Sequence, residues 1–142
     1  MLRNRLVDIA LAWQNRYGVA PSITSSISEY DAAMLVGMNE DEYSQYMQDK
    51  TAVSRGHDFI YNGIRYQIKA TRPSGKPGSR ITNVPNAKNR SWDKIIWVLY
   101  DKNYVMLEAW EWEVKAYDEA FSPTQRLSPD HYRKGKCLYL ES

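Results

Sequence analysis

Asp58, Gln67 and Lys69 are the residues of this 142-residue chain whose types and spacing combine into chemistry. They lie in the stretch running from His57 to Lys69, where Asn62-Gly63 separates two β-rich runs. Asn-Gly in that setting predicts a two-residue hairpin of type I′, because both central positions need a positive φ. Counting outward, Tyr61 faces Ile64, Ile60 faces Arg65, Phe59 faces Tyr66 and Asp58 faces Gln67. Side-chain alternation puts Phe59, Tyr61, Ile64, Tyr66, Ile68 and Ala70 on one face, and Asp58, Ile60, Arg65, Gln67, Lys69 and Thr71 on the other. Directly opposed Cβ atoms are roughly 5 Å apart, so a carboxylate, an amide oxygen and an ammonium converge. That set suits a hard divalent cation with a positive charge beside it. The same alternation also suits an ordinary half-exposed antiparallel pair.

The segment that follows tips the balance toward chemistry. From Lys69 to Arg90 the chain carries Lys69, Arg72, Lys76, Arg80, Lys88 and Arg90 and no acid, in a protein whose formal net charge is only +2. Pro73, Gly75, Pro77, Gly78 and Pro85 make it a loop. Lys and Arg among Ser, Thr and Asn form the donor set that contacts nucleic-acid phosphates. A solvated surface loop has the same composition, but this one leaves the hairpin directly at Lys69.

An Asp followed after a turn by Gln-x-Lys, with Gly-x-Asp ahead, resembles the core motif of the PD-(D/E)XK nucleases. The closest form is that of the Mrr-like restriction endonucleases. The matching residues are Gly56, Asp58, Gln67, Ile68 and Lys69, with His57 where a proline often stands. The resemblance implies an α/β fold (α+β in detail), with a mixed central sheet flanked by helices. It implies a metal-dependent endodeoxyribonuclease in which Asp58 and the main-chain carbonyl of Ile68 hold Mg²⁺ or Mn²⁺. Gln67 would add its side-chain oxygen or orient a water, and Lys69 would hold and activate the attacking water. Many such enzymes place a further acid on a preceding helix, and Glu29 is the candidate; a first-turn dipole partner is the equal alternative. Arg72, Lys76, Arg80, Lys88 and Arg90 would track the DNA backbone, and cutting a duplex suggests a homodimer. Gln67 at the usual carboxylate position also fits a catalytically weak or inactive relative that binds DNA or a protein. An RNA substrate stays open, since backbone contacts discriminate poorly.

The elements that must position these residues read as one domain over 1–142. A hydrophobic fraction of 43% and a charged fraction of 25% are those of a soluble globular protein. No apolar run approaches the roughly 20 residues of a membrane span and the N-terminus lacks a signal-like core, which predicts a cytoplasmic protein. The single cysteine, Cys137, excludes an internal disulfide and reads as a buried thiol. Two histidines and one cysteine cannot build a structural zinc site of the usual kind. Leu2, Leu6, Ile9, Ala10, Trp13 and Tyr17 fall at helical spacing ahead of Gly18, an amphipathic helix for its own domain or for a second copy. Ser22–Ser28 reads as a connector, with Ser28 capping a second helix and Asn39 a third. Ile95–Tyr100 reads as a strand buried on both faces, Asp101–Asn103 as a turn, and Tyr104–Trp112 as a returning strand. A helix over Glu113–Phe121, a turn started by Ser128-Pro129-Asp130 and an edge strand at Leu138–Leu140 complete the chain.

Overall fold

The chain forms strands β1 (Phe59–Tyr61), β2 (Ile64–Thr71), β3 (Lys94–Tyr100), β4 (Met106–Glu113) and β5 (Lys136–Leu140). These and the helices come from a computed structural model, which describes residues 1–50, 56–74 and 81–142. The strands make one five-stranded sheet in sequential order. β2 and β3 run parallel and every other neighbouring pair antiparallel. Helices α1 (Leu2–Tyr17), α2 (Thr24–Leu35) and α3 (Glu40–Asp49) precede the sheet, and α4 (Val114–Ala120) and α5 (Pro129–Tyr132) lie between β4 and β5. The fold is therefore α+β with a mixed sheet.

β3 organises both sides of that sheet, as its uninterrupted apolar run predicts. Ile96, Val98 and Tyr100 join Phe59, Tyr66 and Ile68 in a core closed by Ile27, Ala32 and Ala33 of α2. Ile95, Trp97 and Leu99 point the other way, into a core with Trp92, Tyr117, Leu127 and Tyr132. Withdrawing these six β3 side chains from water contributes on the order of 10 kcal/mol before the opposing chain entropy. The hairpin register is the counted one, Phe59 with Tyr66, Ile60 with Arg65 and Tyr61 with Ile64. Asn62 and Gly63 carry φ values of 50° and 77°, the left-handed pair a type I′ turn demands.

Several elements depart from the sequence reading. α2 begins at Thr24, one turn before Ser28, because Ile27 is needed in the core; Ser28 is buried inside the helix and donates to Ser25 O. Glu29 consequently sits in the second turn, too far in to serve as a first-turn dipole partner. β4 starts only at Met106, since Tyr104 (φ 62°) and the Asp101 side chain, accepting from Asn103 N and Val105 N, prolong the turn. Cys137 is exposed on the edge strand β5 rather than buried. Glu108 and Glu111, which interrupt β4's apolar pattern, are buried because each has a cation: Arg133 grips both Glu108 oxygens, and Lys94 pairs with Glu111. The third helix is capped as read, with Asn39 and Glu42 forming a reciprocal capping box.

Candidate active site

The site lies where β1 stops short and β2 continues. β1 covers β2 only as far as Tyr66, so the next outward-facing amide of β2, that of Ile68, has no strand opposite it on that side among the described residues. Asp58 fills the gap. Its own N–H donates to Tyr66 O at 2.7 Å, and its Oδ2 accepts from Ile68 N at 2.7 Å and from Gln67 Nε2 at 3.1 Å. A residue's N–H and C=O point to the same side of a strand, so the Ile68 carbonyl lies on this open edge too. Gln67 Nε2 reaches that carbonyl at 3.5 Å, the limit of a hydrogen bond.

The local path to Asp58 is fixed by Gly56. Its φ of +77° favours glycine, and a Cβ there would come within 2.6 Å of Ser91 Cβ and 2.8 Å of Asn89 Oδ1. The chain ahead of Asp58 is thus pressed against the segment leading into β3. His57 follows with its Nδ1 buried and without a hydrogen-bond partner among the described residues. On the far side Asp93 accepts from Arg65 N at 2.8 Å and pairs with its guanidinium, which holds the Asp93 carboxyl below its ordinary range.

α2 brings Glu29 to the same place. Burial, then the negative charge of Asp58 and a hydrogen bond with it, push the Glu29 carboxyl up to about 7, against a smaller opposing pull from Lys50. Two neighbouring carboxyl groups, with the Ile68 carbonyl on the same edge, make the hard-oxygen set that a divalent cation takes. Asp58, Glu29 and Ile68 O therefore fit such an ion. Among the described residues no three His, Cys, Asp or Glu side chains cluster anywhere, so further oxygens fall to Gln67, water or a phosphate. The Gln67 amide is nearly fully buried and turns its NH₂ toward Asp58, which makes it first of all a residue that orients Asp58.

No family model matches this chain, and no curated protein does. What the site can do rests on its own geometry.

Lys69 is half-buried, on the same face of β2 as Gln67 and in register with the fully buried Trp97 of β3. That face is thus polar only along β2; one strand over it becomes the second core, and Trp97 Nε1 donates to Thr71 Oγ1 at 3.0 Å. Two further residues belong to the site that the sequence did not point to. Lys50, directly after α3, donates from Nζ to the main-chain O of Asp58 at 2.8 Å. Tyr43 of α3 lies near both acids, and burial followed by the charges of Glu29 and Asp58 pushes its hydroxyl up to about 12. A lysine after a helix reads as a dipole partner, and Tyr43 as part of an apolar stripe, so neither carries a sequence signal.

The basic residues divide. Arg72 donates to Gln14 Oε1 at 2.7 Å and to Lys102 O, and stacks 4.6 Å from the Tyr104 ring centroid. Arg90 bonds to Asp118, Ala87 O and Phe121 O and stacks over Tyr117. Both tie elements together, a use for arginine that a run of charges does not distinguish from phosphate binding. Lys88 is exposed. Lys76 and Arg80 lie outside the described residues.

The raised Glu29 carboxyl has a consequence in pH. The folded-state value of Glu29, about 7, lies above its ordinary 4.5, so the associated stability is complete below about pH 4.5 and is lost as pH rises through 7. Glu29 is partly open to solvent, which limits the loss to about 1 kcal/mol, or about 4 °C in Tm for a chain of this size. Without divalent ions, Glu29→Gln should melt higher than wild type at pH 8 and equally at pH 4.5. Parallel pH profiles for the two proteins would remove Glu29 from the Asp58 site.

Proposed function

We propose that the protein is a metal-dependent endonuclease that hydrolyses DNA phosphodiester bonds at the open edge of β2. The observation that carries this reading is the meeting of Glu29, from a helix, with Asp58, which the hairpin holds through the Ile68 amide and Gln67. The sequence motif supplies Asp58, Gln67 and Lys69, but the proximity of Glu29 depends on how α2 packs.

In this reading Asp58 and Glu29, with Ile68 O, would hold Mg²⁺ or Mn²⁺. Such an ion polarises a phosphoryl oxygen and lowers the pKa of a bound water. Gln67 donates to Asp58 and keeps its carboxylate aimed at the edge. Lys69 holds the attacking water in line with the phosphorus and offsets the charge that builds on the pentavalent phosphate. The water's oxygen bonds to phosphorus and the water gives a proton to solvent as one P–O ester bond breaks, and the leaving alkoxide takes up a proton from solvent. Lys88, with Lys76 and Arg80, supplies backbone contacts to the substrate.

One specific observation favours a second reading, a fold that binds DNA without cutting it: the amide at Gln67 leaves two carboxylates, Asp58 and Glu29, at the site among the described residues. Supercoiled plasmid separates the two. The nuclease reading expects nicked and linear products with Mg²⁺ or Mn²⁺ and none with EDTA. Retarded but intact plasmid under all conditions favours the binding protein, and neither cutting nor retardation overturns both.

A further inference from the structure

α1 turns the wrong face to its own domain. The residues that dock it are Arg3, Val7, Ala10, Leu11 and Gln14: Val7 and Ala10 are buried, and Arg3 grips Asp31 and Tyr104 O. The larger apolar stripe faces out. Leu2, Leu6, Ile9, Trp13 and Tyr17 are 80, 38, 63, 52 and 63% exposed, and the Trp13 and Tyr17 rings already pack at 4.8 Å. Alongside Leu2 and Leu6 the stripe opens into a cavity of about 380 Å³, bounded also by Tyr30, Tyr43, Glu40 and Asp41.

We propose that this face is the interface of a homodimer in which the two α1 helices pair antiparallel about a two-fold axis beside Ile9. The stripe is self-complementary in that arrangement, which also sets its aromatic end over the cavity at the other end of the partner helix. A two-fold contact requires that if residue i meets j, j meets i. Here Leu2 meets Tyr17, Leu6 meets Trp13, and the two Ile9 side chains meet across the axis. The bulky aromatic end of one helix thereby covers the cavity beside Leu2 and Leu6 of the other. Charge agrees with shape: exposed Arg16 arrives beside the exposed acids Glu40 and Asp41 of the partner. All five stripe side chains are more than a third exposed, so pairing them withdraws one contiguous apolar patch on each partner from water. The proposal is independent of the nuclease reading.

Sedimentation equilibrium on the full chain tests it. Wild type should be dimeric at about 10 µM, and Ile9→Arg or Trp13→Glu should weaken association about tenfold or more. Both positions are exposed, so circular dichroism and Tm should not move. Arg16→Glu should weaken the dimer, and adding Asp41→Arg to the same chain should restore it. A monomeric wild type, or a dimer indifferent to Ile9→Arg and Trp13→Glu, overturns the interface. A charge swap that fails to restore association overturns the antiparallel arrangement.

Discussion

Lys69→Ala is expected to abolish plasmid cleavage, a loss of about 10²–10³-fold or more if its ammonium offsets charge in the transition state. The structure refines how that loss should be read. Lys69 is half-buried and runs alongside Trp97 at the border of the second core, so its aliphatic stem packs as well. Alanine removes charge and packing together, whereas Lys69→Met removes the charge and keeps the stem. Both variants should be inactive, and the methionine variant should hold the wild-type melting temperature and DNA affinity. Cleavage by Lys69→Met at the wild-type rate would remove the lysine from the mechanism. An inactive alanine variant beside an active methionine variant would show that the stem, not the charge, matters.

Gln67 gives the second large effect, in the opposite direction. Its NH₂ lies 3.1 Å from Asp58 Oδ2, so Gln67→Glu replaces a donor with a second carboxylate at the same place. Without metal, three acids then crowd one edge. Like charges at that separation cannot all ionise, and Tm at pH 8 should fall below that of wild type. Divalent ions reverse the balance: Mn²⁺ should bind about tenfold more tightly, as read by calorimetry, and recover the lost stability. Asp58→Asn should eliminate binding in either background. Unchanged Mn²⁺ affinity in Gln67→Glu, with cleavage intact in Asp58→Asn, would leave the hairpin as an ordinary β pair.

What was legible in the sequence was whatever one element decides alone. The hairpin turn needs two positive φ values and names them with Asn62-Gly63; β3 is buried on both faces and says so with six apolar residues in a row. The site half on the hairpin was readable for the same reason, since Asp58, Gln67 and Lys69 are placed by counting. What two elements decide together was not readable. Glu29 reaches Asp58 only because α2 starts at Thr24 and presses Ile27, Ala32 and Ala33 onto the sheet. Lys50 reaches it only because α3 ends nearby. The arginines show the limit in the other direction: Arg72 and Arg90 look like phosphate ligands until their donors are traced to Lys102, Ala87 and Phe121. The exposed stripe of α1 follows the same rule, for periodicity reveals an apolar face and not which way it turns.

Asp58 also stands guard over a stretch of strand edge that no described residue pairs with beyond Tyr66. The outward edge of β2 beyond Tyr66 is a row of amides and carbonyls that another extended chain can pair with, the usual starting point of edge-to-edge aggregation. The Asp58 carboxylate occupies the Ile68 amide, and Lys50 takes the Asp58 carbonyl beside it, so a charged pair blocks the first rung of any foreign ladder. A change that truncates Asp58 therefore also unlocks the edge. In the nuclease reading solubility and catalysis would rest on the same carboxylate, and an inactive descendant would be under pressure to keep an acid at position 58.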